Sequence, residues 1–118
     1  MKKSNPILDK SFEFAIQIVN TSKGLQTERK EFVLSRQLLR SGTAVGALVR
    51  ESQNGESKKD FIHKLSIAQK ECDETIYWLD LLFKTDYLDT HTYNKLKADS
   101  TELLKLLKSI IISTRKNL

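Results

Sequence analysis

Across 118 residues the chain carries one proline and four glycines, and that scarcity constrains its fold more than any other feature. All-β domains reverse direction about every 8–12 residues and need Gly, Pro, Asn or Asp at each reversal. Here the turn signals gather at a few places only, so the chain reads as long segments joined by short connections. Leu, Lys, Ile, Ser and Glu dominate those segments, a composition suited to helices.

Ser4 and Asn5 ahead of Pro6 mark a helix start, because the proline ring pre-sets φ and its missing N–H would have no intrahelical partner there. The spacing predicts helix 1 from Pro6 to about Lys23, closed by Gly24 as a left-handed C′ residue with Leu25 behind it. Thr27 is then expected to cap helix 2, which reaches Glu51 or Gln53 before Gln53-Asn54-Gly55 ends it. Ser57-Lys58-Lys59-Asp60 matches a capping box with Asp in place of Glu and opens helix 3, running to about Lys84. A turn from Asp86 to Thr90, with Asp89 or Thr90 as cap, leads to helix 4, expected to end near Thr114 ahead of a polar, frayed Arg115-Lys116-Asn117-Leu118. Short connections make consecutive helices antiparallel neighbours. The expectation is an all-α, up-down-up-down four-helix bundle forming one domain over residues 1–118.

Projection at about 100° per residue assigns each helix an apolar seam. Helix 1 offers Leu8, Phe12, Ala15, Ile16 and Val19. Helix 2 offers Leu34, Leu38, Val45, Leu48 and Val49, joined by Ser41, Gly42 and Ser52, whose small side chains permit close helix approach. Helix 3 contributes Phe61, Leu65, Ala68, Cys72, Thr75, Ile76, Leu79, Leu82 and Phe83, and helix 4 Tyr93, Leu96, Leu103, Leu107, Ile110 and Ile111. A remainder stays outside these seams: Ile7, Phe14 and Ile18 on helix 1, and Ile67, Trp78 and Leu81 on helix 3. A monomeric bundle needs one stripe per helix, so the second stripes are expected to form a contact between identical subunits. The alternative is that the seams simply reach further round each helix.

A chain of this length buries roughly two-thirds of its unfolded surface, enough for a core without disulfides, and one cysteine excludes a disulfide framework. No apolar run approaches the ~20 residues of a membrane span. Met1-Lys2-Lys3 meets Asn5, Pro6, Asp9 and Lys10 before a signal-peptide core can build, so the expected address is cytoplasmic, with no membrane contact. Twenty Lys and Arg against fifteen Asp and Glu, a net +5 with pI near 9.4, lean towards an acidic partner such as nucleic acid.

Motifs for catalysis are missing: no Gly-rich phosphate loop, G-x-S-x-G or H-E-x-x-H occurs. Glu71 and Glu74 have no histidine at the offset a di-metal bundle needs. His63 lies opposite the helix 3 seam and His91 at the start of helix 4, both read as solvated, and Cys72 falls in the seam as a small hydrophobe. The expectation is therefore no enzymatic activity, no metal, no cofactor and no small-molecule substrate. Arg29, Arg36, Arg40 and Arg50 fall within about 40° of one line opposite the Leu38 and Val45 seam, with Thr43 and Ala47 between them. Four planar guanidinium forks in a row suit phosphate, which makes these four the candidate nucleic-acid contacts. They could equally form a solvated face paired with Glu28 and Glu51, or with acids of another helix or subunit.

Two stretches in order carry a family resemblance: Leu34-Ser35-Arg36-Gln37-Leu38-Leu39-Arg40-Ser41-Gly42-Thr43-Ala44-Val45-Gly46-Ala47, then Ser57 to Glu71 followed by Glu74-Thr75-Ile76-Tyr77-Trp78-Leu79. The chain resembles the four-helix-bundle proteins encoded in intervening sequences of bacterial 23S ribosomal RNA genes. It departs from their usual pattern at Leu48, where Asn is common, and at Ser52, where Gly or Ala is. The resemblance implies an up-down bundle, commonly oligomeric and in several members a ring of five (a pentamer), with no established enzymatic activity. A more distant bundle of the same type, the accessory protein of diversity-generating retroelements, is a basic pentamer thought to engage nucleic acid and a reverse transcriptase. The family's recurring positions fall here on Arg40, Ser41, Lys70, Glu71 and Glu74. Together these readings predict a homo-oligomer whose interface holds Ile7, Phe14, Ile18, Ile67, Trp78 and Leu81 with Glu71 and Glu74 beside them, the two glutamates pairing with Arg36 or Arg40. Its expected role is binding structured RNA or DNA; the competing role is a protein-interaction scaffold.

Overall fold

The computed structural model describes residues 4–118. Four helices follow one another: α1 Pro6–Thr27, α2 Leu34–Ser52, α3 Lys58–Lys84 and α4 Thr90–Lys116. Three starts are capped as the sequence predicts: the side chains of Asn5, Ser57 and Asp89 accept from the backbone N–H of Leu8, Asp60 and Thr92. Asp60 returns the favour at α3 by accepting from the N–H of Glu56 at 3.3 Å. The end of α3 is a Schellman turn. Asp86 takes the left-handed φ of 66°, and the N–H groups of Asp86 and Tyr87 donate to the carbonyls of Phe83 and Leu82.

The first connection falls later than expected. Gly24 is helical and no glycine has positive φ among the described residues, whereas Lys30 has φ 56°. The reason lies in Leu25, which is buried in register with Ile18 and Ser22, so α1 must continue another turn to seat it. Thr27 therefore ends α1 instead of capping α2. Glu31 takes over that role: its carboxylate accepts from the N–H of Val33 at 3.3 Å and of Ser35 at 2.8 Å, and α2 starts at Leu34. At the other extreme α4 runs two residues past Thr114, to Lys116.

Each helix packs on its sequence neighbours, and α1 meets α4 in a thinner contact to close the cycle. The α1–α4 rim is polar: Lys10 pairs with Glu102, and Gln17 donates to Asp99 at 3.1 Å beside Lys95. One apolar cluster fills the interior, and the predicted seams of α2, α3 and α4 supply most of it.

Helix α1 uses the other stripe. Ile7, Phe14 and Ile18 are 5%, 1% and 0% exposed, while Phe12 and Ile16 are 55% and 48% exposed. Phe12 and Ile16 of the expected α1 seam thus lie on the outer surface, with Leu8, Ala15 and Val19 only partly buried, and three residues assigned to a subunit interface are interior. The serines explain the exchange. Ser11 and Ser22 share the buried face, and Gly46 sits so close that a Cβ there would lie 3.1 Å from the Ser11 carbonyl oxygen. Small side chains let the backbones approach, which a Phe12-centred face would prevent. The interior also holds Ser35, Ser41, Ser52, Thr75 and Ser100, whose hydroxyls donate to carbonyls one turn back in the chain. Thr75 and Ser41 hydroxyls also meet across α2–α3 at 3.0 Å. Cys72 is fully buried in this layer, its thiol donating to the Ser100 carbonyl and pushed up by burial to about 12, far from a reactive thiolate at neutral pH.

Candidate functional site

The outer face of α2 holds three of the four candidate arginines. Arg29 leaves the line because the first connection, not α2, contains it. Its guanidinium donates to the Tyr87 carbonyl at 3.2 Å and lies 5.1 Å from the Tyr87 ring centroid, tying that connection to the one between α3 and α4. Arg36 is exposed, with no acidic partner among the described residues. Arg50 stands 5.8 Å from the exposed ring of Phe12.

Arg40 is engaged. Its Nη1 donates to Glu71 Oε2 at 3.0 Å and its Nη2 to Glu74, so one fork spans two carboxylates one helical turn apart on α3. Trp78 completes the cluster by donating its indole N–H to Glu74 Oε2 at 2.9 Å. Of the two arginines expected to meet these glutamates, Arg40 does so, within the same chain. Because the Arg40 side chain is half exposed, such pairs contribute only about 0.2–1 kcal/mol each. Among the described residues no three His, Cys, Asp or Glu side chains are placed to hold a metal ion.

The hydrogen bond from Trp78 holds the Glu74 carboxyl below its ordinary range, with Arg40 reinforcing it against burial. A group depressed in this way contributes stability above the unfolded pKa and loses it as pH falls through the folded one. Trp78 is the only tryptophan, so its fluorescence reports the event. We expect an acid titration whose midpoint lies below the ~4.3 of a free glutamate, and Arg40→Ala to move that midpoint upward. A midpoint at or above the free value would show that the cluster does not form in solution.

Beside the arginines, Phe12 and Ala15 of α1 and Thr43, Gly46, Ala47 and Arg50 of α2 line an open groove. Its floor is apolar although the bundle interior is already filled. On the far side, Ile67, Trp78 and Leu81 of α3 are half-buried, and Trp78 packs partly on the core. His63 and His91 are exposed.

The sequence reading passed over a second set of cations. Lys105, Lys108 and Lys116 surround exposed Ile112 on the outer face of α4, and Arg115 flanks them. Lys105 and Lys108 lie within the helix as expected, and Arg115 and Lys116, expected in the frayed end, are instead its last two residues. A count of charge by segment would have found it, since residues 103–118 contain four Lys and Arg and no Asp or Glu.

Comparison with known proteins agrees with this architecture. Among curated proteins none matches the chain. A solved structure of a protein of unknown function from the S23 ribosomal protein family, from Bacteroides thetaiotaomicron VPI-5482, is 54% identical, covers 89% of this chain and 97% of its own, and superposes with a TM-score of 0.88. The family model described as 23S rRNA-intervening sequence protein matches residues 3–109. With the match spanning nearly the whole of the bundle, the chain belongs to the 23S rRNA-intervening sequence protein family.

Proposed function

We propose that the protein is a non-catalytic, self-assembling module that binds structured RNA or DNA through phosphate contacts. One observation carries the assembly: a bundle with a complete core still presents Phe12 and Ile16, each about half exposed, on a face shared with Ala47. Exposed aromatic and aliphatic side chains beside an arginine are the usual composition of an interface centre. Ile67, Trp78 and Leu81 on α3 supply a second, different face. Contact between unlike faces of successive copies is heterologous and closes into a ring when the rotation permits. A ring multiplies the monomer's +5, and repeated weak phosphate contacts then gain from multivalency.

Light scattering after size exclusion should give several times 13.6 kDa, and Phe12→Glu with Ile16→Glu should return the monomer mass with its helix content intact. A wild-type monomer at micromolar concentration would overturn the assembly. Duplex binding should weaken steeply with salt because counterion release drives it; no binding at low salt would overturn the nucleic-acid role. The pairing of Arg40 with Glu71 and Glu74 favours the competing reading, a scaffold for protein partners, and an assembled oligomer that fails to bind any duplex would establish that reading in its place.

A further inference from the structure

We propose that the surface meeting the nucleic acid is the outer face of α4 in its C-terminal half, built by Lys105, Lys108 and Lys116 with Arg115 at their flank and Lys58 of α3 alongside. This rests on the phosphate-binding reading above and places it away from the arginines of α2. Of the chain's net +5, four charges belong to residues 103–118, which hold no acid. The remaining 102 residues are nearly neutral. The Lys58 ammonium donates to the Asn117 carbonyl at 3.0 Å, which brings the start of α3 to the same end of the bundle. None of Lys105, Lys108, Arg115 and Lys116 forms an ion pair among the described residues, in contrast to Arg40.

Helix electrostatics does not account for the set. Cations in a last turn complement the macrodipole, which covers Arg115 and Lys116. Lys105 and Lys108 lie two to three turns earlier, where that effect has decayed. From Lys105 to Lys116 the helix rises ~16 Å, a span that faces several phosphates of a duplex carrying one charge per ~1.7 Å of axis. Ser109 and Ser113 line the same shallow surface and add short hydroxyl donors between the ammonium groups. Two features select a duplex backbone as the occupant. No aromatic side chain joins the surface to stack unpaired bases. Ile112 is the only exposed large apolar side chain within that lysine-lined depression, too little to insert into a bilayer, because the rest of the apolar side of α4 is spent on the core.

The test compares three proteins against a short duplex RNA, the same duplex as DNA, and phosphatidylserine-containing vesicles, at about 50 and 200 mM salt. One variant is Lys105→Gln with Lys108→Gln and Lys116→Gln. The other removes three exposed cations at the opposite end of the bundle, Lys23→Gln with Lys30→Gln and Lys84→Gln. Circular dichroism and light scattering establish that both retain fold and assembly. The α4 variant is expected to lose at least about tenfold in duplex affinity, with the salt slope reduced by about 3, while the matched variant changes far less. Equal losses in both variants, or a loss confined to the matched variant, would overturn this placement and leave the nucleic-acid reading standing. Wild-type protein that binds neither duplex would overturn both, and binding to vesicles alone would assign the α4 face to a membrane surface.

Discussion

Phe14→Ala is expected to destabilise the protein by about 3–5 kcal/mol, and Phe12→Ala, two residues away, by less than about 1 kcal/mol. The two rings look alike in the sequence but stand in different solvents. Phe14 is 1% exposed inside the apolar core, so truncation forfeits its transfer free energy and leaves a void that close-packed neighbours refill only in part. Phe12 is 55% exposed, with little apolar area to lose on the folded side. Urea unfolding followed by helical circular dichroism measures both, at dilution low enough that association contributes nothing. Equal losses, or a larger loss at Phe12, would mean that α1 is rotated by about a third of a turn and that the interior is built on the other stripe.

The second large effect is expected at Gly42. A Cβ placed there lies 2.8 Å from both Cγ1 and Cγ2 of Ile18, which is itself fully buried and has no space to yield. Gly42→Val adds three carbons to that contact. The helix gains a few tenths of a kcal/mol from losing a glycine, while overpacking costs about 1–3 kcal/mol, or more where the backbones must separate. We expect a net loss of about 2 kcal/mol or more. Ile18→Ala alone should cost about 2–5 kcal/mol as a cavity. The double variant should then be far more stable than the sum of the singles, because valine fills what alanine vacates. Strict additivity would show that α1 and α2 do not approach at this point.

Several elements follow from local chemistry and were legible without tertiary structure. Pro6 after Asn5, Ser57 three residues before Asp60, and Asp89 before Thr92 satisfy orphan N–H groups from their own sequence neighbourhood, so three helix starts fall where the residues put them. The seams of α2, α3 and α4 are each dominated by one stripe, and Ser41 and Gly42 announce the close approach that the packing confirms. The resemblance through Leu34–Ala47 and Ser57–Leu79 likewise named the family that the comparisons show. The candidate arginines were legible as residues and not as a surface: Arg29 left the line once α1 lengthened to seat Leu25, and Arg40 turned to two glutamates contributed by a different helix.

By itself, then, the sequence determined the number of helices, their order, most of their ends and three of their four buried faces, because caps and periodicity act over a single turn or a single helix. Only the tertiary structure decided which stripe of α1 is inside, and with it whether Phe12 or Phe14 meets solvent. Both stripes are apolar enough to be buried, and periodicity ranks them by side-chain hydrophobicity alone. Burial instead depends on how near two backbones come, a distance set by Ile18 on α1 seated against Gly42 of α2 and the Ser11 backbone against Gly46. That fit is a property of two surfaces together, and neither helix carries it alone.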